Sequence, residues 1–190
     1  MSGKLTVACG PMFSGKTEEL IRRVRRAYHA ELGVQIFTPS TDTRRSGRLV
    51  SHAGTDLETQ NVPFAPTVVA PNERFAPRVR SNVTFVVLDE AQFFSHSVIG
   101  DVLELVERRN VSVFVSGLDR DYRGRPFGPM PALLAHADDI VKLTAVCAQC
   151  RKLDSATMTH RLVSSAETVL IGGANEYEPR CRDCWLVDNA

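Results

Sequence analysis

The chain has 190 residues, 43% of them apolar and 24% charged, with a formal net charge of +1. That length and composition suit one α/β domain with a small appendage and exclude a disordered or fibrous chain, while the near-neutral balance gives no general attraction to nucleic acid or to an anionic membrane. No apolar run approaches the ~20 residues of a membrane span, and the chain enters its first strand by Leu5, so neither a membrane anchor nor a signal peptide is expected and the expected location is cytoplasmic.

Leu5-Thr6-Val7-Ala8 predicts a buried strand, and the residues after it, Gly10-Pro11-Met12-Phe13-Ser14-Gly15-Lys16-Thr17, fit the phosphate-loop pattern GxxxxGKS/T. The glycines let consecutive backbone N–H groups curl around phosphate oxygens, Lys16 reaches the terminal phosphates, and the Thr17 hydroxyl is suited to ligate Mg²⁺. Glu18 to Ala30, free of Gly and Pro, predicts the helix that leaves the loop. Val34 to Phe37 reads as a second strand, followed by a long polar loop to about Val62 that contains Asp42-Thr43-Arg44. Pro63, Pro66, Pro71 and Pro77 then allow only short elements.

Phe85-Val86-Val87-Leu88 is the continuous apolar run of a strand buried on both faces, and Asp89-Glu90 stands at its end. In a chain with a phosphate loop, an acid at that place reads as the second Mg²⁺-positioning element, here Asp89, often acting through water. Glu90 beside it can reach toward the reacting phosphate and take a proton from an attacking hydroxyl or water. Val98 to Arg109 has helical apolar spacing, and Val111 to Val115 forms a further strand. Alternating strands and helices imply a phosphate-loop (RecA-like), doubly wound parallel sheet with its ligands beyond the strand C-termini.

Five cysteines include two CxxC pairs, Cys147/Cys150 and Cys181/Cys184, which suit a tetrahedral structural Zn²⁺ in a reducing compartment. Cys9 is left over as a small core residue, and Trp185 reads as packing for the clip. Thirty residues (151–180) separate the pairs, more than the fifteen to twenty of compact zinc modules, so a long loop is tied at its base. Within it Thr168-Val169-Leu170-Ile171-Gly172-Gly173 offers backbone donors and acceptors with little bulk, and Tyr177 offers a ring and a hydroxyl, as a lid over a small planar substrate would. The expected division is a phosphate-loop α/β unit over 1–143 and a zinc-clipped lid subdomain over 144–190.

The segments GPMFSGKT, LDEAQFF (Leu88 to Phe94), RPFG (Arg125 to Gly128), KLTAVC (Lys142 to Cys147) and IGGANEY (Ile171 to Tyr177) together resemble the zinc-containing thymidine kinases of bacteria and animal cytosol. The resemblance implies transfer of the ATP γ-phosphate to the 5′-hydroxyl of thymidine, or of deoxyuridine, in pyrimidine deoxynucleotide salvage. It implies Glu90 as the catalytic base and Thr17 and Asp89 at Mg²⁺. It also implies an ATP site made of Gly10 to Thr17, Asp42, Thr43, Arg44 and Asp89, Glu90, Ala91 and Gln92. Phe93, Tyr122 and Phe127 correspond to aromatic positions around the thymine ring, and Met12, Leu118 and Thr159, with Thr157 as the alternative, to its methyl pocket. Thr168, Val169, Leu170, Ile171 and Gly172 correspond to the lid backbone that reads the base edge, and Tyr177 to a residue near the sugar. Tyr122 stands where many members carry Phe, adding a hydroxyl that needs a partner. The resemblance further implies a homotetramer inhibited by thymidine triphosphate, with no nucleic-acid or membrane partner.

The competing class is a nucleic-acid-dependent ATPase gripping its substrate through a zinc ribbon. Against it, Arg151, Lys152, Arg180 and Arg182 around the cysteines are offset by Asp154, Glu178 and Asp183. The run Arg22-Arg23-Val24-Arg25-Arg26 lies on the helix behind the phosphate loop, where a solvated or subunit-contacting face is the expected reading.

Overall fold

The computed structural model describes residues 2–42, 65–164, 167 and 170–188. Among these, β1 (Leu5–Cys9), β2 (Val34–Pro39), β3 (Thr67–Val69), β4 (Phe85–Leu88), β5 (Ser112–Gly117) and β6 (Asp139–Lys142) form one parallel sheet in the order β3-β2-β4-β5-β1-β6. The strand that feeds the phosphate loop and the strand that ends at Asp89 are therefore separated by β5. The register sets Val7 beside Val115 and Val115 beside Leu88, so β4 ends level with Val7 and β1 runs on past it to Cys9.

Side chains along each strand divide between two cores. On one face Leu5, Val7, Cys9, Val86, Leu88, Val113 and Val115 meet Val98, Val102, Leu105, Met130 and Leu133, contributed by α2 (Ser97–Leu103), the wider π-helical turn over Glu104–Arg108 that continues it, and α3 (Met130–His136). On the other, Ala8, Ile36, Val87 and Phe114 meet Leu20, Ile21, Val24 and Ala27 of α1 (Lys16–His29). Burial on both faces explains the unbroken apolar runs, and the sheet is doubly wound as the alternation of elements implies.

Parts of the architecture differ from expectation. The helix expected over 98–109 changes pitch at Glu104, which puts both Leu105 and Val106 into the core. α3 and the edge strand β6 were not expected, because β6 has only four residues and leaves Ile140 49% exposed. The segment after β6 builds an antiparallel hairpin of β7 (Ala156–Arg161) and β8 (Tyr177–Cys181) and the short α4 (Arg182–Asp188), where the sequence had suggested only a tied loop.

Candidate active site

The turn after β1 is shaped by two residues in the left-handed region, Phe13 (φ 64°) and Gly15 (φ 83°). A side chain is strained at such angles, and glycine at position 15 relieves the second of them where α1 must begin. α1 opens at Lys16, so the positive end of its dipole lies at the phosphate loop, a ready anion site. The Ser14 hydroxyl and the Lys16 ammonium both donate to the Pro11 carbonyl, at 2.8 and 2.6 Å, which draws the loop into an arch.

At the end of β4, Asp89 is 3% exposed and Glu90 turns the chain with φ 50° and ψ 44°, a strained conformation for a residue with a side chain. The turn continues as a single 3-10 helix, Ala91–Phe93. Gln92, only 2% exposed, bridges two segments: its Nε2 donates to Glu90 Oε2 at 2.6 Å and its Oε1 accepts from the Leu118 amide at 3.0 Å.

These parts open onto one cavity of about 390 Å³, a volume within the range of small-ligand sites. Its walls include Met12, Phe13, Ser14, Gly15, Lys16 and Thr17 from the loop, together with Glu90, Gln92 and Phe93. Leu118, Tyr122, Phe127 and Thr159 line it as well, and so do Leu170, Ile171, Gly172 and Tyr177. Donor-loop and lasso residues thus share one space. Phe93 and Phe127 meet edge to face, ring centroids 5.8 Å apart at 90°, an aromatic corner against which a planar ring can pack. Thr159 is buried and accepts from the Met12 amide at 3.1 Å, whereas Thr157 is only partly buried and is not among the lining residues.

Other expected residues lie elsewhere. Gly10 and Pro11 are buried at the root of the loop, and Ala91 packs into the core. Asp89 is buried and is not among the lining residues, and Asp42, partly buried, follows β2 with its amide on the Pro39 carbonyl. Thr43, Arg44, Thr168 and Val169 lie outside the described residues.

The extra hydroxyl of Tyr122 has found its partner, since Arg123 Nε donates to it at 2.7 Å. The Tyr122 carbonyl accepts from the Trp185 indole at 3.2 Å, so Trp185 joins the clip to a residue lining the cavity rather than packing the clip alone. Three contributors were not anticipated. Glu18 and Asp121 line the cavity, and Arg161 stacks on Tyr122 from behind. Asp121 accepts from the Arg123 and Arg125 amides, both at 2.9 Å, a turn that the Asp-x-x-Gly spacing could have revealed. A lone Arg at the end of a strand carries no such signal.

The Sγ atoms of Cys147, Cys150, Cys181 and Cys184 lie within 4.8 Å of one another, with Cys150 and Cys181 3.9 Å apart. Tetrahedral Zn–S bonds of ~2.3 Å require sulfur separations of about 3.8 Å, so the cluster fits Zn²⁺. Without a cation the four thiols cannot ionise together. Burial of Cys147 opposes ionisation, but the amides of Cys181, Cys150 and Gln149 outweigh it and bring its thiol down to about 6. Cys184, hydrogen-bonded first by Cys181, is pushed up to about 12. A dication resolves that competition.

Among the described residues no helix is long and apolar enough to cross a membrane. The family model described as thymidine kinase matches residues 3–185. A thymidine kinase of Bacteroides fragilis is 42% identical over 184 residues, covering 96% of this chain and 87% of that protein. One from Bacteroides thetaiotaomicron is 42% identical over 185 residues, covering 97% and 87%. With the phosphate loop, the acidic strand end and the four-cysteine clip in one α/β fold, this chain belongs to the thymidine kinase family.

Proposed function

We propose that the chain transfers the γ-phosphate of ATP to the 5′-hydroxyl of thymidine, and of deoxyuridine, releasing ADP and the nucleoside monophosphate for deoxynucleotide salvage. The observation that carries this reading is that Glu90, the phosphate loop and the Phe93/Phe127 pair all line one cavity. Phosphoryl transfer asks chiefly for alignment and for neutralised charge. The loop amides and Lys16 hold the donor phosphates, and the Phe93/Phe127 corner, with Met12, Leu118 and Thr159 in the same cavity, orients the base. Glu90 then accepts the proton of the 5′-hydroxyl as its oxygen attacks phosphorus and the bond to ADP breaks.

The Thr17 hydroxyl and the Asp89 carboxylate are the oxygen groups that would hold Mg²⁺, which would supply charge neutralisation at the phosphates. Residues 144–190 act in this reading as a zinc-clipped subdomain whose backbone over Leu170–Gly172 reads the base edge. A pyrimidine methyl group adds only about 1–3 kcal/mol, so deoxyuridine remains a substrate, while a cytosine fails on mismatched hydrogen bonds. We also propose a cytoplasmic homotetramer inhibited by thymidine triphosphate, the end product of this salvage route.

ADP release measured with thymidine, deoxyuridine, deoxycytidine or a polynucleotide tests the function. Stimulation by the first two is expected. Stimulation by polynucleotide alone would replace the kinase with a nucleic-acid-dependent ATPase, a reading weakened by the pairing of Arg22 and Arg23 with Glu19.

A further inference from the structure

Arg161 ends β7 with 9% of its surface exposed, and it is not among the residues that line the cavity. Its guanidinium carbon lies 3.6 Å from the centroid of the Tyr122 ring and 5.4 Å from that of Tyr177. Nη2 donates to the Tyr177 hydroxyl at 2.9 Å, that hydroxyl donates to the Leu170 carbonyl at 2.8 Å, and Nη1 donates to the Glu167 carbonyl at 2.5 Å. One planar cation thus touches two aromatic walls of the cavity and, through Tyr177, the backbone of a third.

We propose that Arg161 is a positioning residue for the nucleoside acceptor. It fixes the plane of Tyr122 and the hydroxyl of Tyr177 and makes no contact with the donor phosphates. Guanidinium chemistry is required for this. Arg stays charged at every working pH, can lie flat on a ring, and can donate from its edge at the same time, whereas the lysine ammonium is a compact point charge that cannot stack. Arg also has no acceptor, so the Tyr177 hydroxyl must accept from it and direct its own proton to Leu170, leaving one orientation for that wall. The phosphate loop, by contrast, closes on its own Pro11 carbonyl and on Thr159, without Arg161. Loss of Arg161 should therefore act on one substrate only.

This inference rests on the kinase reading, and steady-state kinetics of wild type, Arg161→Lys and Arg161→Met separate the two. In both variants the KM for thymidine should rise about tenfold or more while the KM for ATP stays within about twofold, because Lys keeps the charge but not the stacked fork. Zinc content and melting temperature report folding. Folded variants whose thymidine KM stays within about twofold, or whose two KM values rise together, overturn the assignment. Should neither variant fold, wild-type protein labelled with ¹⁵N-arginine carries the test. Its Arg161 guanidinium signal, displaced by the Tyr122 ring current, should shift on adding thymidine and not on adding ADP with Mg²⁺. Absence of that selective shift overturns the proposal. A wild-type chain that leaves thymidine unphosphorylated overturns the kinase reading itself, whereas normal wild-type turnover with unmoved variants overturns only the role of Arg161.

Discussion

The Met12 amide donates to the Thr159 hydroxyl across 3.1 Å and so ties the phosphate loop to β7, two segments that line the same cavity. Both residues are buried, at 8% and 5% exposure. Thr159→Val keeps the shape but strands the amide, which costs about 1–3 kcal/mol for a buried donor. The expected outcome is a lower melting temperature, by about 2–10 °C for a chain of this size, and raised KM for ATP as well as thymidine. Thr159→Ser restores the acceptor and should restore both. Calorimetry and steady-state kinetics of the pair check this, and a Val variant indistinguishable from the Ser variant would contradict it.

Glu90 is held by Gln92, whose other end is fixed on the Leu118 amide. Glu90→Gln removes the proton acceptor, so kcat should fall about 10²–10⁴-fold with thymidine and ATP binding retained. Gln92→Leu leaves the carboxylate in place without its tether, and kcat should fall up to about 10²-fold through misplacement alone. Pre-steady-state phosphate transfer and equilibrium binding distinguish the two. Near wild-type turnover in Glu90→Gln would end the assignment of the base.

The legible parts of the sequence were those where one local pattern has one physical solution. Gly10 to Thr17 and the run Phe85 to Leu88 declared loop and buried strand, because a parallel strand covered on both faces has no polar positions to hide it. The cysteine pairs declared the clip. What stayed hidden depends on contacts between distant segments: Gln92 serves Glu90 only because Leu118 lies opposite, and Arg161 matters only because the hairpin brings it under Tyr122. The β7/β8 hairpin itself was obscured, since Ala156 to Arg161 mixes polar and apolar residues on a strand with one partner and Tyr177 to Cys181 contains Pro179.

The clip sets the ends of that hairpin. Cys181 terminates β8 while Cys147 and Cys150 precede β7, and the Ala148 amide donates to the Pro179 carbonyl at 2.8 Å. Folding should therefore bind one Zn²⁺ per chain, and its release by a chelator or by Cys181→Ser should cost thymidine phosphorylation before the sheet melts. Zinc titration alongside far-ultraviolet circular dichroism tests the order. Retained thymidine turnover in fully zinc-free protein would show that the clip does not support the acceptor site.

Glu19, in the first turn of α1, binds Arg22 Nε at 2.6 Å and Arg23 Nε at 2.7 Å. The hydrogen bond from Arg22 is the largest influence and, with that from Arg23, holds the carboxyl below its ordinary value of 4.5 against the opposing effect of burial. A carboxyl depressed in the folded state contributes stability that is complete above its unfolded value and is lost as pH falls through the folded one. Arg22 is half exposed, so screening limits the gain to about 0.3–1 kcal/mol. Glu19→Gln should be less stable than wild type at pH 7, with the difference closing as the pH falls below 4.5. Urea denaturation at several pH values measures the gap, and a constant gap would contradict the pairing.

Gly128 sits at φ 50°, and a Cβ added there would lie 2.4 Å from the carbonyl oxygen of Gln92 and 3.2 Å from its carbon. Those are backbone atoms and cannot swing aside. Gly128→Ala therefore combines left-handed strain with a clash, about 2–4 kcal/mol together. Displacing Gln92 also disturbs Glu90, while Phe127 next to Gly128 forms half of the edge-to-face aromatic pair, so kcat and thymidine affinity should both decline in whatever fraction folds. Gly100 provides the contrast: it lies exposed within α2, and a Cβ there meets nothing within 4 Å. Gly100→Ala should stabilise the chain by about 0.5–1 kcal/mol through helix propensity alone and leave kinetics unchanged. Urea midpoints of the two variants should move in opposite directions, and movement in the same direction would mean that the packing of Gly128 against Gln92 does not govern this corner of the site.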